Sequence, residues 1–199
     1  MSKLVLSAGE QSVSDVTPFN ARGGKTGELI ASNLHGFYYE QTYRGRLYSC
    51  ANQAAVTTTS TLATTFTGLA IANPTGSGYN LVVQRFSAAQ FAAGAAAVIG
   101  VSVGAGAAAG SLTIRNRKFG GAASIATASA GATIAAPILM AVAGGVGSAA
   151  TTAIQMNQAV SIDFDGSLII PPGYFMASDT SIATTTALIF EFVWEEVQI

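Results

Sequence analysis

Two long stretches of this chain, Ser87–Ile114 and Gly120–Ile162, carry no charged residue. Their apolar content is mostly Ala, broken repeatedly by Gly, Ser, Thr, Gln and Asn. A membrane-spanning helix needs about 20 predominantly apolar residues, with Leu, Ile, Phe and Val supplying the transfer energy. Phe91–Gly110 instead holds five Gly and only four large aliphatic residues. No membrane span is predicted. The uncharged runs read as short β segments whose small side chains pack against a core or against another chain.

The rest of the composition narrows the class. Of 199 residues, 50% are apolar and 10% charged, against about 25% charged in an ordinary soluble domain. Disorder needs low hydrophobicity and high charge, so most of the chain must fold. A formal net charge of −1 argues against a nucleic-acid binder driven by overall basicity. The single cysteine, Cys50, permits no internal disulfide and suits a reducing cytoplasm. The opening MSKLVLSAGEQ has too short an apolar run for a secretory signal.

Charge is unevenly distributed. All nine Lys and Arg lie between Lys3 and Lys118, with four acids, and the remainder holds six acids and no base. The two parts are thus +5 and −6. Either the charges neutralise within one domain, or one end of the molecule is basic and another acidic, as in a subunit that docks on its own copies or on a larger assembly.

Residues 1–35 show no sustained period and read as an N-terminal arm that orders on contact, or as a first strand plus a loop. From residue 36 the character is β. Phe37–Tyr43 reads as a strand, Arg44-Gly45 as its turn and Leu47–Ala51 as the return strand. Further strands are predicted at Phe66–Ala72, Asn80–Phe86, Ala96–Val103 and Ser111–Arg117. Gly121–Ser148 fits strand, loop or weak helix. Ala159–Phe164 and Ser167–Ile170 read as a hairpin about Asp165-Gly166, and Pro171-Pro172-Gly173 as a rigid corner before Tyr174–Ser178. Thr185–Val197 alternates along its length: Leu188, Phe190, Phe192, Trp194 and Glu196 form a core face, while Ile189, Glu191, Val193, Glu195 and Val197 form a wet or partner face. Eight to ten short strands with Gly/Pro turns predict an all-β, jelly-roll-like β-sandwich over residues 36–199, with an extended arm at 1–35.

Motifs for chemistry are weak. Val101–Gly110 has the glycines of a dinucleotide loop but no acid about 20 residues on. Gly23-Gly24-Lys25-Thr26 lacks the earlier glycine of a phosphate loop, since position 19 is Phe19. His35 is the only histidine, so a His-based metal cluster is impossible and a Ser–His–Asp triad would have to use it. Asp163 and Asp165 faintly resemble a calcium loop, with the other ligands missing. A glycosidase would need facing carboxylates, such as Asp163, Asp165 or Asp179 against Glu191. No catalytic, metal or cofactor site is expected. The residues with interface character are Lys3, Arg22, Lys25, Tyr43, Arg44, Arg46, Arg115, Arg117 and Lys118, because Tyr and Arg favour interface cores and the bases suit an acidic surface. With one adjacent aromatic, Phe119, the Arg115–Lys118 cluster is a poor match for nucleic acid.

Three segments carry a family resemblance: GELIASNLHGFYYEQTYRGRLYS (27–49), NPTGSGYNLVVQRF (73–86) and FDGSLIIPPGYFMASDTSIATTTALIFEFVWEEV (164–197). In this order they resemble small virion structural proteins of tailed bacteriophages, over about residues 28–199. Some members of that group are capsid cement, or decoration, proteins. The resemblance implies a homotrimer on the outer capsid surface, made in the host cytoplasm, that clamps neighbouring major capsid subunits, without enzyme activity, cofactor, nucleic acid or membrane. A tail, baseplate or head-fibre component acting in host adsorption is the alternative.

Overall fold

The computed structural model describes residues 5–7, 18–20, 36–54, 56, 58, 65–90, 97–107, 110–135, 137–146, 159–183 and 188–199. The chain divides into two compact units, Met1–Tyr39 and Glu40–Ile199. In the first, β1 (Val5–Ser7) and β2 (Pro18–Asn20) pair antiparallel.

The second unit is an all-β sandwich of two five-stranded antiparallel sheets. Its strands are β3 (Leu47–Ala51), β4 (Thr65–Ala72), β5 (Tyr79–Gln90), β6 (Ala97–Ala105), β7 (Arg115–Asn116), β8 (Thr127–Ala135), β9 (Ile138–Val146), β10 (Ala159–Ile170), β11 (Tyr174–Thr180) and β12 (Leu188–Gln198). The first sheet runs β10-β5-β12-β3-β7 and the second β8-β4-β11-β6-β9. Among the described residues, no helix is long and apolar enough to cross a membrane.

Alternation decides which faces meet. On β12, Leu188, Phe190, Phe192 and Trp194 are buried, as their period of two predicts; on the other face Ile189, Glu191, Glu195 and Val197 are half-buried, but Val193, expected there to be wet, is buried. Cys50 and Tyr48 of β3 sit opposite Phe192 and Trp194 and point the same way. Phe86 of β5 packs its ring against Phe190 and Phe192 at centroid distances of 6.1 and 5.0 Å. The second sheet closes the core with Leu69, Ile71, Ile99, Val101, Ala128 and Met176. Burial pushes the Cys50 thiol up to about 11, so this cysteine behaves as a small hydrophobe.

Three expectations are corrected. Tyr39–Tyr43 is a short helix (α1) instead of a strand. Arg44 N–H donates to the Glu40 carbonyl at 2.9 Å, and Gly45, at φ +69°, supplies the left-handed residue that ends the turn before β3. Ser111–Arg117 is strand only at Arg115–Asn116, because the Ser111 and Leu112 amides both turn onto the Ala128 carbonyl of β8. Ala159–Ile170 is one strand, not a hairpin. It stays on β5 throughout, with Asp163 opposite Arg85 and Leu168 opposite Val83, and the extra residues bulge out through Asp165 (φ 48°) and Gly166 (φ 79°). The Asp-Gly pair therefore makes a bulge within a continuous ladder. The open segment 121–148 resolves as β8 and β9 among its described residues.

Candidate functional site

Six of the nine predicted contact residues fall on one edge of the first sheet. Arg44 and Arg46 flank the turn into β3, and Arg115, Arg117 and Lys118 lie on or just beyond β7, the edge strand paired to β3 through Tyr48–Asn116 and Ser49–Arg115. Tyr43 joins them: the Lys118 Nζ donates to its carbonyl at 2.9 Å and stands 5.3 Å from its ring centroid. All five bases are exposed. Lys3, Arg22 and Lys25 lie outside the described residues.

A dense set of short-range bonds holds this edge. Asn116 Nδ2 donates to the carbonyls of Gly45 (2.8 Å) and Ala122 (3.1 Å), and its Oδ1 accepts from the Lys118 amide (2.9 Å). The Arg117 amide donates to the Leu47 carbonyl at 2.8 Å. The connection from β7 to β8 is anchored by Glu196 of β12, which accepts from the Ile125 amide at 3.1 Å and from the Ser124 hydroxyl. Burial pushes the Glu196 carboxyl up, and the Ser124 bond opposes that rise. The turn between these anchors presents Phe119, which is 99% exposed. Leaving a phenylalanine in water forgoes about 1.5–3 kcal/mol of burial, and the fixed backbone keeps it from folding away. Phe119 was not among the predicted contacts. The signal available was an aromatic directly after three bases and before Gly120-Gly121.

The edge is not purely basic. Arg117 Nη2 pairs with Glu191 Oε1 at 2.7 Å, and Glu191 also accepts from Ser87 at 3.1 Å. Arg44 lies 3.7 Å from Glu40. Half-burial raises the Glu195 carboxyl, while Arg46 and Arg44 pull it down. Five bases against Glu40, Glu191, Glu195 and the buried Glu196 leave a formal local excess of +1. Arg115 has no ion pair among the described residues. This arrangement suits an acidic partner surface with an apolar recess for Phe119.

Comparison with protein-family models, curated proteins and solved structures finds no match for this chain.

The remaining acids do not gather into one centre. Asp163 and Asp165 sit exposed on β10, on the outer face of the first sheet. Asp179 is buried on β11 in the second sheet, on the far side of the sandwich from Glu191. Among the described residues no group of three or more His, Cys, Asp or Glu is placed to hold a metal ion.

Asp179 gives a pH prediction. Burial raises its carboxyl pKa, against hydrogen bonds from Ser102 and the Thr180 backbone. The folded state therefore binds this proton more tightly than the unfolded state. Stability from this group is present below the ordinary carboxyl range, about 4, and is lost as pH rises through the raised value. Asp179→Asn removes that loss. Urea titrations from pH 4 to pH 8 are expected to show the variant gaining on the parent as pH rises. A constant difference refutes the assignment.

Proposed function

We propose that this chain is a virion structural protein of a tailed bacteriophage, a capsid cement protein that binds the outer shell as a homotrimer and clamps neighbouring major capsid subunits. The observation that carries the reading is the convergence of Tyr43, Arg44, Arg46, Arg115, Arg117 and Lys118, distant in sequence, on one hydrogen-bonded sheet edge with Phe119 at its tip. A rigid edge offering an aromatic anchor among bases is built for a protein surface. The expected residues 28–199 resemblance supplies the virion context.

The strand order supports a jelly roll. β3-β12-β5-β10 and β4-β11-β6-β9 alternate between sheets as the two halves of a jelly roll do, and β7 and β8 add one strand to each. Self-association is supported by the opposite side of the sandwich, where β9 and β10 run together and the Val160 side chain lies against Gly144. There Ile138, Met140, Val142, Ile169 and Tyr174 are 68, 53, 58, 51 and 48% exposed. A groove of about 430 Å³ runs among Ile138, Met140, Ile169 and Tyr174. Copies meeting there would bury an uncharged surface of the kind obligate interfaces share with protein cores.

The test is copy number. Stained-gel densitometry of purified particles is expected to give hundreds of copies each, and shells lacking the chain are expected to rebind it and to resist heat better afterwards. A few copies per particle, with loss of host adsorption when absent, would replace this reading with the tail or head-fibre role.

A further inference from the structure

β9 is an edge strand of the second sheet, and it differs from the edges of the first. A free edge is ordinarily guarded by charge or by brevity. β7 is two residues long and carries Arg115, and β10 carries Asp163 and Asp165. β9 has nine residues, none of them charged. Its Ile138, Leu139 and Met140 are 68, 38 and 53% exposed in succession. Successive strand residues point to opposite faces, so both faces of this edge are open.

The register explains the shape. Ile138 stands opposite Val103 and Leu139 opposite Ser102, while Ala141 stands opposite Val101, which leaves Met140 as the extra residue of a bulge. A groove lies along each flank of the strand. Ile138 and Met140 line the larger, about 430 Å³, together with Ile169 and Tyr174. Leu139 and Val142 line the smaller, about 210 Å³, together with Val98. At roughly 100 Å² apiece, these seven side chains open on the order of 700 Å² of hydrocarbon, above the roughly 300–600 Å² of the largest patch on a typical monomer. The one charged residue lining either groove is Asp179, which is buried.

We propose that three copies of this chain meet along β9 head to tail, the Val98–Leu139–Val142 flank of each seated in the groove of Ile138, Met140, Ile169 and Tyr174 on the next. The proposal rests on the homotrimer of the reading above and assigns its interface. A patch that pairs with its own copy makes a two-fold contact and stops at two, so a three-membered ring needs two different surfaces on every subunit. β9 provides them back to back across a single strand. An axis running beside that strand brings unlike flanks together and makes β9 the wedge that points inward. The occupant is another copy because neither groove offers an exposed charge with which to select a foreign surface. The opposite flank of the same chain is equally uncharged and supplies the protruding side chains. Phe119 and its neighbouring bases lie on the other edge of the first sheet from β10 and stay free for the shell.

The experiment measures the mass of the full chain by light scattering at micromolar concentration, without shells. The parent is expected to be a trimer. Val142→Asp spoils one flank and Ile169→Asp the other, on different sheets, and each is expected to give monomers. Emission from Trp194, which is fully buried, verifies that the variants fold. Where either carboxylate unfolds the chain, Val142→Gln and Ile169→Gln take its place. Phe119→Ala is expected to leave the trimer intact. A monomeric or dimeric parent, a folded flank variant that stays trimeric, or loss of the trimer in Phe119→Ala overturns the proposal. Cosedimentation with shells separates it from the reading beneath it. Monomers that still coat shells overturn this interface and leave the cement role standing, whereas trimers of the expected kind that ignore shells do the reverse.

Discussion

Replacing Arg115, Arg117 and Lys118 together by Glu is expected to abolish binding to capsid shells while leaving thermal stability nearly unchanged. All three side chains are exposed. Among the described residues they make one ion pair, Arg117–Glu191, and exposed pairs contribute about 0–1 kcal/mol to folding. The exchange removes the exposed Lys118–Tyr43 bond, but the other bonds that shape the edge come from Asn116 and from backbone amides and survive it. The cost falls on docking, where three attractive charges become three repulsive ones. Phe119→Ala separates the apolar contribution from the electrostatic one. It is expected to weaken binding by about 2 kcal/mol, roughly thirtyfold, with no loss of melting temperature. Its effect should persist in high salt, whereas that of single charge changes should shrink as ions screen the edge. Arg85→Glu is the control, since Arg85 is an exposed base on β5, three strands in from β7. Cosedimentation with shells lacking the chain provides the readout. Full binding by the triple variant would remove this edge from the interface.

The second large effect is on stability. Phe86→Ala is expected to cost about 3–5 kcal/mol, a large share of the 5–15 kcal/mol typical of a domain. Phe86 is fully buried and touches the rings of Phe190 and Phe192 on the neighbouring strand, so its removal opens a cavity that strand-bound neighbours cannot collapse to fill. Trp194, the sole tryptophan, is also fully buried and stacks on Tyr48 at 6.3 Å. Its emission therefore reports unfolding in urea without any added label. A loss under about 1 kcal/mol would mean that the aromatic cluster is not the centre of the core.

These two predictions draw on features of different legibility. The aromatic face of β12 is readable from the sequence because a strand places alternate residues on opposite faces, and Leu188, Phe190, Phe192 and Trp194 occupy one of them. The corner at Pro171-Pro172-Gly173 is readable for the same kind of local reason. Asp165-Gly166 misleads because left-handed residues serve bulges and hairpins alike. Whether the chain reverses there depends on the partner strand, and β5 is long enough to pair on both sides. Phe37–Tyr43 misleads because aromatic and Thr residues favour strands only where a neighbouring strand is available. Here the Glu40–Arg44 spacing and Gly45 close a helical turn instead.

The candidate edge divides in the same way. Local sequence singled out its bases and tyrosines one cluster at a time. That Arg44 and Arg46 lie beside Arg115 and Lys118 follows from the pairing of β3 with β7, a contact across nearly seventy residues of chain. Glu191 and Glu195 enter the same edge from β12 and temper its charge. The sequence by itself determined the all-β class, the core face of the last strand and the kinds of residue able to meet a partner, because these depend on period and composition. Tertiary structure decided which clusters share an edge, which acid is buried on the second sheet and which phenylalanine stands in water. Those depend on strand register, and register is set by packing between residues far apart in the chain.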